Sequence, residues 1–194
     1  MTAATHRIFG RPMDAPVPHG FDQIILGMGC YWGVERLFWE QDGVWMTEVG
    51  FAGGTTENPT YKQVCAGNTG HAEVVRVVYD SARISTEHLL KLFWENHNPT
   101  QGNRQGNDVG SQYRSLIMYF TDSQRAAAEA SKIDYDNRLA VQGYPGITTQ
   151  ILPAAPFWPA EEDHQQYLDR YPDGYCNMRG TGVQAADLEG LESN

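Results

Sequence analysis

The sequence has only three cysteines, Cys30, Cys65 and Cys176, and they lie far apart in a chain of 194 residues. None of them forms a Cys-x-x-Cys pair, which excludes a zinc ribbon and a thioredoxin-type redox motif. A permanent structural disulfide is not expected in a reducing compartment. The thiols are therefore either inert or members of a redox cycle.

Basic residues and long apolar runs are also scarce. Lys and Arg number 14 against 24 Asp and Glu, for a formal net charge of −10, whereas nucleic acids and anionic membranes bind basic surfaces. No apolar run reaches the roughly 18 residues of a membrane-spanning helix, and residues 1–20 contain no continuous apolar core of a secretory signal. We therefore expect a cytoplasmic protein with no nucleic-acid partner and no membrane partner.

An apolar content of 41% and a charged content of 20% are typical of a globular protein. The pattern predicts a loose arm over residues 1–20 and a single domain over 21–194 that ends in a glycine-punctuated tail. Strands are expected over 24–28, 44–51, 72–79, 113–120 and 148–152, and helices over about 31–40, 86–96, 122–141 and 161–170. Long polar loops follow at 55–69 and 97–112. This mixture indicates an α+β domain with helices packed on one sheet.

Cys30 lies where the apolar run 24–26 passes through a glycine turn into a helical pattern. That placement puts the sulfur at the N-terminus of a helix, where free backbone N–H groups and the helix dipole favour a thiolate. We therefore expect the pKa of Cys30 to lie below that of a free cysteine, with Tyr31 and Trp32 forming an apolar lip beside it. The alternative is a small buried hydrophobe without reactivity.

Glu73 is the only charge on the more apolar face of the strand 72–79, which it shares with Val75, Val77 and Tyr79. A carboxyl group in an apolar layer is costly to ionise, so its pKa should rise and it should act as a general acid. The alternative is that Glu73, near the start of the strand, points past the sheet edge into water.

Other residues admit both a chemical and a structural interpretation. His71, His97 and His164 are candidate bases, or histidines that stabilise loops or lie at the surface. Tyr61 and Tyr113 flank loops and are candidate hydroxyl donors, or pack their rings with the hydroxyls at the surface.

Asp108 is a candidate substrate contact or a turn residue. Cys65 is expected to be buried and inert. Cys176, in a glycine-rich tail, is either a mobile second thiol or a surface thiol without a role.

Several motifs together carry a family resemblance across residues 21–183. They are Gly29-Cys30-Tyr31-Trp32-Gly33, Asn58-Pro59-Thr60-Tyr61, Val64-Cys65-Ala66-Gly67, Gly70-His71-Ala72-Glu73, the segments 105–108 and 112–115, Glu162-Asp163-His164-Gln165 with Tyr167, and Gly174-Tyr175-Cys176. In this order they resemble the type A peptide methionine sulfoxide reductases.

The resemblance implies a two-layer α+β sandwich with a mixed sheet, and reduction of methionine S-sulfoxide, free or in oxidised proteins. It implies that Cys30 attacks the sulfoxide sulfur, that Glu73 protonates the oxygen, and that Tyr61 and Tyr113 donate hydrogen bonds to it. The other implied roles concern substrate binding and recycling. Tyr31 and Trp32 enclose the methyl group, Asp108 holds the substrate backbone, and Cys176 forms a disulfide with the oxidised Cys30 that thioredoxin reduces.

No metal and no organic cofactor is implied, and we expect a monomer. The chain departs from the family at two positions. Tyr31 replaces the more usual Phe, which should change affinity little. Gln184 follows Gly180-Thr181-Gly182-Val183, where some bacterial members carry a second tail cysteine. A single Cys30–Cys176 disulfide is therefore expected, rather than a relay of three cysteines.

Two other functional classes fit parts of the pattern. A thiol hydrolase would use Cys30 with a histidine and would not depend on Cys176. A non-catalytic module would recognise methyl groups in an aromatic groove and would retain its function without Cys30.

Overall fold

The computed structural model describes residues 4–187. Its elements in chain order are β1 (Asp22–Met28), α1 (Tyr31–Trp39), β2 (Val44–Ala52), α2 (Tyr61–Cys65), β3 (Ala72–Tyr79), α3 (Thr86–Glu95), β4 (Arg104–Gln105), β5 (Asp108–Val109), β6 (Ser115–Tyr119), α4 (Asp122–Val141), β7 (Gln150–Pro153), β8 (Trp158–Pro159) and α5 (Tyr167–Arg170). Two 3-10 helices cover Ser111–Tyr113 and Glu162–His164. No helix in this part of the chain is both long and apolar enough to cross a bilayer.

Six strands form one mixed sheet in the order β7-β6-β1-β3-β2-β8. The pair β6 and β7 is parallel, and the other neighbours are antiparallel. Strands β4 and β5 form a separate small hairpin. The mixed sheet with helices packed on it confirms the predicted α+β fold.

The alternation of β3 decides which side chains enter the main core. Val75, Val77 and Tyr79 join the apolar cluster that also contains residues of α1, α3 and α4. Val74 lies on the opposite face of the sheet, in a smaller cluster covered by Ala155 and Phe157. The predicted division of the strand into two faces is therefore confirmed, and the face that carries Glu73 is the one the helices cover.

Side-chain caps start the helices where the sequence indicates. The Ser85 hydroxyl accepts a hydrogen bond from His88 N at the start of α3. The Thr121 hydroxyl accepts one from Gln124 N at the start of α4. The region 161–170, in contrast, is not one helix. Gln166 takes a left-handed conformation (φ 48°) and separates the 3-10 helix from α5. Its backbone N–H bonds Glu35 instead of continuing a helix.

Candidate active site

Cys30 and Glu73 meet at one end of the two central strands because β1 and β3 are antiparallel. Cys30 is the N-cap of α1, and the turn before it contains Gly29 at φ 93°, a conformation that L side chains rarely adopt. Glu73 is the second residue of β3, and its Oε2 accepts a hydrogen bond from Tyr31 N at 3.2 Å. The amide next to the cysteine therefore holds the carboxyl group.

Glu73 is 1% exposed, so its side chain does not reach past the sheet edge into water. Burial raises the pKa of Glu73 from 4.5 to about 8, with a smaller contribution from the charge of Asp108, while the bond from Tyr31 N opposes the shift. The carboxyl group therefore keeps its proton at neutral pH.

The pKa of Cys30 departs from the sequence-based expectation. Burial raises the pKa of the thiol well above its ordinary value, and the charge of Glu73 raises it further. The hydrogen bond from Trp32 N, at the helix N-terminus, lowers it by less. The prediction of a lowered pKa is wrong because desolvation outweighs the helix terminus. The resting site holds a thiol beside a carboxylic acid.

Tyr61 and Tyr113 approach the same carboxyl group from two loops. Tyr61 begins α2 behind the capping residue Thr60, and its backbone N–H donates to the Glu161 carboxylate at 3.0 Å. Tyr113 ends the 3-10 helix that precedes β6. Burial raises the pKa of both hydroxyls, and the charge of Glu73 adds to both shifts. Both phenols therefore remain protonated donors.

Aromatic side chains form one side of the site, which we call the aromatic wall. The Tyr167 ring stacks on Trp32 with centroids 3.9 Å apart, and the His164 ring packs against Tyr61 in a tilted arrangement with centroids 4.2 Å apart. The Trp32 indole Nε1–H donates to His164 Nδ1 at 3.3 Å. Tyr31 lies 6.4 Å from Tyr61 in a stacked arrangement. The wall supplies the apolar surface beside the sulfur that the sequence predicts from Tyr31 and Trp32.

The Tyr31 hydroxyl is an exception among the buried side-chain polar atoms of residues 4–187. It is buried and makes no hydrogen bond, and a buried hydroxyl without a partner costs stability. This hydroxyl group is the only difference between Tyr31 and the phenylalanine more usual in the resembling family.

The tail brings Cys176 to the first turn of α1. A side chain at Gly33 would place its Cβ 2.7 Å from Cys176 Sγ. The tail is held on both sides of this cysteine by Asp108, which accepts hydrogen bonds from Tyr175 Oη at 3.0 Å and Asn177 Nδ2 at 3.1 Å. The proximity of Cys176 also raises the pKa of Cys30. The two thiols are therefore neighbours, and all three cysteines are free.

Cys65 is not buried, contrary to the sequence-based expectation. It ends the five-residue helix α2 at the surface, because so short a helix exposes most of its positions. Partial desolvation still raises the pKa of its thiol, and a hydrogen bond with the Tyr61 side chain opposes the shift.

The three candidate histidines make hydrogen bonds away from Cys30. The His97 ring is fully buried and bonds Phe93 O and Ser115 Oγ, so it stabilises the core rather than the surface. The His71 ring bonds Gly54 N and Thr56 O and fixes the loop after β2. His164 receives the bond from Trp32. This arrangement does not resemble a Cys/His pair for hydrolysis.

Sequence reasoning missed three residues that contact the site. Tyr167 packs on Trp32, and Tyr175 and Asn177 bind Asp108. The only signal in the sequence was that Tyr167 and Tyr175 belong to the motifs of the family resemblance; Asn177 gave none, because these contacts join residues that are distant in the chain. Among residues 4–187, no group of three or more His, Cys, Asp and Glu side chains is arranged to hold a metal ion.

Comparison with known proteins gives consistent results. The family model described as peptide methionine sulfoxide reductase matches residues 22–189. The peptide methionine sulfoxide reductase MsrA of Streptomyces griseus is 57% identical over 180 residues, covering 92% of this chain and 81% of that protein. The MsrA of Pseudomonas aeruginosa is 56% identical over 178 residues, covering 92% and 83%.

Solved structures agree with these relatives. Methionine sulfoxide reductase A of Corynebacterium diphtheriae superposes with a TM-score of 0.81 at 44% identity, covering 93% of this chain and 88% of that one. Reduced Mxr1 of Saccharomyces cerevisiae gives a TM-score of 0.72 at 34% identity, covering 82% and 91%. A second Mxr1 structure, in complex with Trx2, aligns at 21% identity with a TM-score of 0.51, covering 84% and 90%, and supports the fold alone.

Proposed function

The chain belongs to the peptide methionine sulfoxide reductase family, an oxidoreductase family, and from this premise we propose how its residues reduce methionine S-sulfoxide. The observation that carries the proposal is the buried, protonated Glu73 bonded to the amide beside Cys30. A sulfoxide oxygen leaves sulfur only when it is protonated, so an acid is needed beside the nucleophile.

The chemical step balances without a proton from solvent. Cys30 sulfur attacks the sulfoxide sulfur, and the Glu73 carboxyl proton passes to the sulfoxide oxygen. The proton of the Cys30 thiol replaces it on Glu73. The hydroxyl then moves from the methionine sulfur to the Cys30 sulfur as the bond between the two sulfurs breaks. Methionine leaves with its sulfur reduced, and Cys30 is oxidised to a sulfenic acid. The raised pKa values of Cys30 and Glu73 support this order of steps, because the uncharged sulfoxide then binds beside an uncharged thiol and an uncharged carboxylic acid.

The surrounding side chains orient the substrate. Tyr61 and Tyr113 donate hydrogen bonds to the sulfoxide oxygen, and Tyr31 and Trp32 enclose the methyl group. The S epimer is selected because methyl, oxygen and lone pair then face aromatic, polar and thiol surfaces. Asp108 binds the substrate backbone after it releases the hydrogen bonds from Tyr175 and Asn177 of the tail.

Cys176 resolves the oxidised enzyme. Its thiol condenses with the Cys30 sulfenic acid, which forms a disulfide and releases water. Support comes from the position of Cys176 over the first turn of α1. Thioredoxin reduces the disulfide, a proposal supported by the existence of a complex between Mxr1 and Trx2. The substrates are free methionine sulfoxide and oxidised proteins.

We further infer that the enzyme acts as a monomer in the reducing cytoplasm, with residues 21–194 as its catalytic domain. A redox cycle that regenerates the Cys30 and Cys176 thiols fits a compartment in which thiols are kept reduced. Size-exclusion chromatography with light scattering tests whether the protein is a monomer in solution.

One assay tests the function. The full-length protein is incubated with methionine S-sulfoxide or R-sulfoxide and dithiothreitol, and methionine is measured. Wild type should convert the S epimer only, and Cys30→Ser should convert neither. Cys176→Ser should release about one methionine per enzyme and then stop when thioredoxin is the reductant. Activity of Cys30→Ser, or full thioredoxin-driven turnover of Cys176→Ser, would contradict the mechanism.

A further inference from the structure

A buried chain of hydrogen bonds connects the N-terminal arm with the aromatic wall. Its members are His6, Thr47, Glu35 and Gln166, and each is at most 1% exposed. They belong respectively to the arm, β2, α1 and the turn before α5. We call this set the arm relay. None of its side chains touches the reacting groups described above.

The hydrogen-bond directions in the arm relay follow from His6. Its Nδ1 accepts bonds from Ile8 N at 3.1 Å and Phe9 N at 3.2 Å, so the ring hydrogen lies on Nε2. Nε2 then donates to Thr47 Oγ1 at 3.0 Å, and Thr47 donates to Glu35 Oε1 at 3.0 Å. The arm therefore fixes the orientation of a buried carboxyl group on α1.

Glu35 in turn holds the unusual conformation of Gln166. Its Oε2 accepts from Gln166 N and its Oε1 from Gln166 Nε2, both at 2.8 Å. Gln166 Oε1 also accepts a bond from Arg7 N of the arm at 3.2 Å. A left-handed conformation is unfavourable for a residue with a side chain, and these bonds hold the turn in it.

The turn at Gln166 lies between two residues of the aromatic wall. His164, two positions earlier, accepts the Trp32 indole hydrogen bond, and Tyr167, the next residue, stacks on Trp32. Changing the backbone at Gln166 therefore moves both partners of Trp32. A buried carboxyl group contributes little stability compared with apolar packing, so the effect of Glu35 lies in selecting one geometry for this turn.

We propose that the arm relay is a positioning device that holds His164 and Tyr167 against Trp32 and thereby sets the affinity of the methyl pocket for the sulfoxide. This inference rests on the proposed function and extends it to His6 and Glu35. They act as positioning residues, because they affect the substrate only through the turn at Gln166.

The test uses full-length variants His6→Ala, Glu35→Gln and Gln166→Gly. Arg7→Ala is the matched control, because it removes only an exposed ion pair between the arm and Asp169 of α5. In the first two variants, KM for methionine S-sulfoxide should rise about tenfold, while kcat with dithiothreitol should change less than about twofold. Gln166→Gly should show a smaller rise, because glycine accepts the left-handed turn and keeps the backbone bond to Glu35. The control should keep the wild-type KM.

A second readout is independent of activity. The indole N–H resonance of Trp32, assigned with Trp32→Phe, should shift in His6→Ala and Glu35→Gln but not in Arg7→Ala. An unshifted resonance, or a shifted one with wild-type KM, would overturn the proposal and leave the arm relay with a role in stability alone. If wild type fails to reduce the sulfoxide, the proposed function fails, and the resonance still decides whether the arm positions the wall.

Discussion

Replacing Glu73 with glutamine should increase stability and remove activity in the same molecule. Glutamine has the same shape, can accept the bond from Tyr31 N, and carries no ionisable proton. With a pKa of 4.5 in the unfolded chain and about 8 in the folded protein, the folded protein retains at pH 7 a proton that the unfolded chain has released. Retaining it costs about 3 kcal/mol of unfolding free energy, and Glu73→Gln should recover about that amount.

The sign of the pH dependence follows from the raised pKa. The stability contributed by the protonated carboxyl is fully present below pH 4.5 and is lost as the pH rises toward 8. The difference in unfolding free energy between Glu73→Gln and wild type should therefore be near zero at pH 4. It should grow up to pH 8 and then level off. Urea unfolding at several pH values measures it.

The activity of the same variant tests the general acid. Single-turnover reduction of methionine S-sulfoxide should slow by about 100- to 10,000-fold, and the wild-type rate should fall as the pH rises above 8. Glu48→Gln is the control, because Glu48 pairs with Arg76. It should retain activity. A Glu73→Gln enzyme with wild-type rates, or one stabilised equally at all pH values, would refute the reasoning.

Three further predictions concern Tyr31, Gly33 and His6. Tyr31→Phe removes a buried hydroxyl without a partner, so urea unfolding should show a gain of about 1–2 kcal/mol with little change in KM; a loss of stability would argue against an unpaired hydroxyl. Gly33→Ala places a methyl group against Cys176 Sγ, so stopped-flow kinetics should show slower disulfide formation and an unchanged release of the first methionine. Equal slowing of both steps would indicate that the substitution disturbs α1 itself. Burial lowers the pKa of His6 from 6.5 to about 4, so wild type should lose stability as the pH falls from 6.5 to 4. His6→Gln should lose less over that range, and equal losses would contradict the assignment.

Most of the elements and the position of Cys30 followed from local patterns. The glycine turn predicted Cys30 at a helix N-terminus, and the period of two on β3 predicted that Glu73 enters the core. Helices were also predicted from residues 86 and 122, where α3 and α4 begin. These features depend on residues a few positions apart, so the sequence shows them directly.

The errors concern burial and long-range contact. The pKa of Cys30 rises because distant segments remove water from the thiol. Within residues 4–187, Cys65 is exposed because the short helix α2 lies at the surface. The expected helix over 161–170 is divided because Glu35, far away in the chain, binds Gln166. A sequence pattern gives the propensity of a segment but not the partner that competes for its backbone.

Features set by neighbouring residues can therefore be distinguished from features set by the packing of the whole chain. By itself the sequence determined that Cys30 begins a helix and that Glu73 faces the core, because strand alternation and helix capping are short-range effects. Only the tertiary structure decided their protonation, the tail contacts of Asp108 and the link from His6 to the aromatic wall. The reason is that desolvation and hydrogen bonding between remote segments depend on the packing of the whole chain.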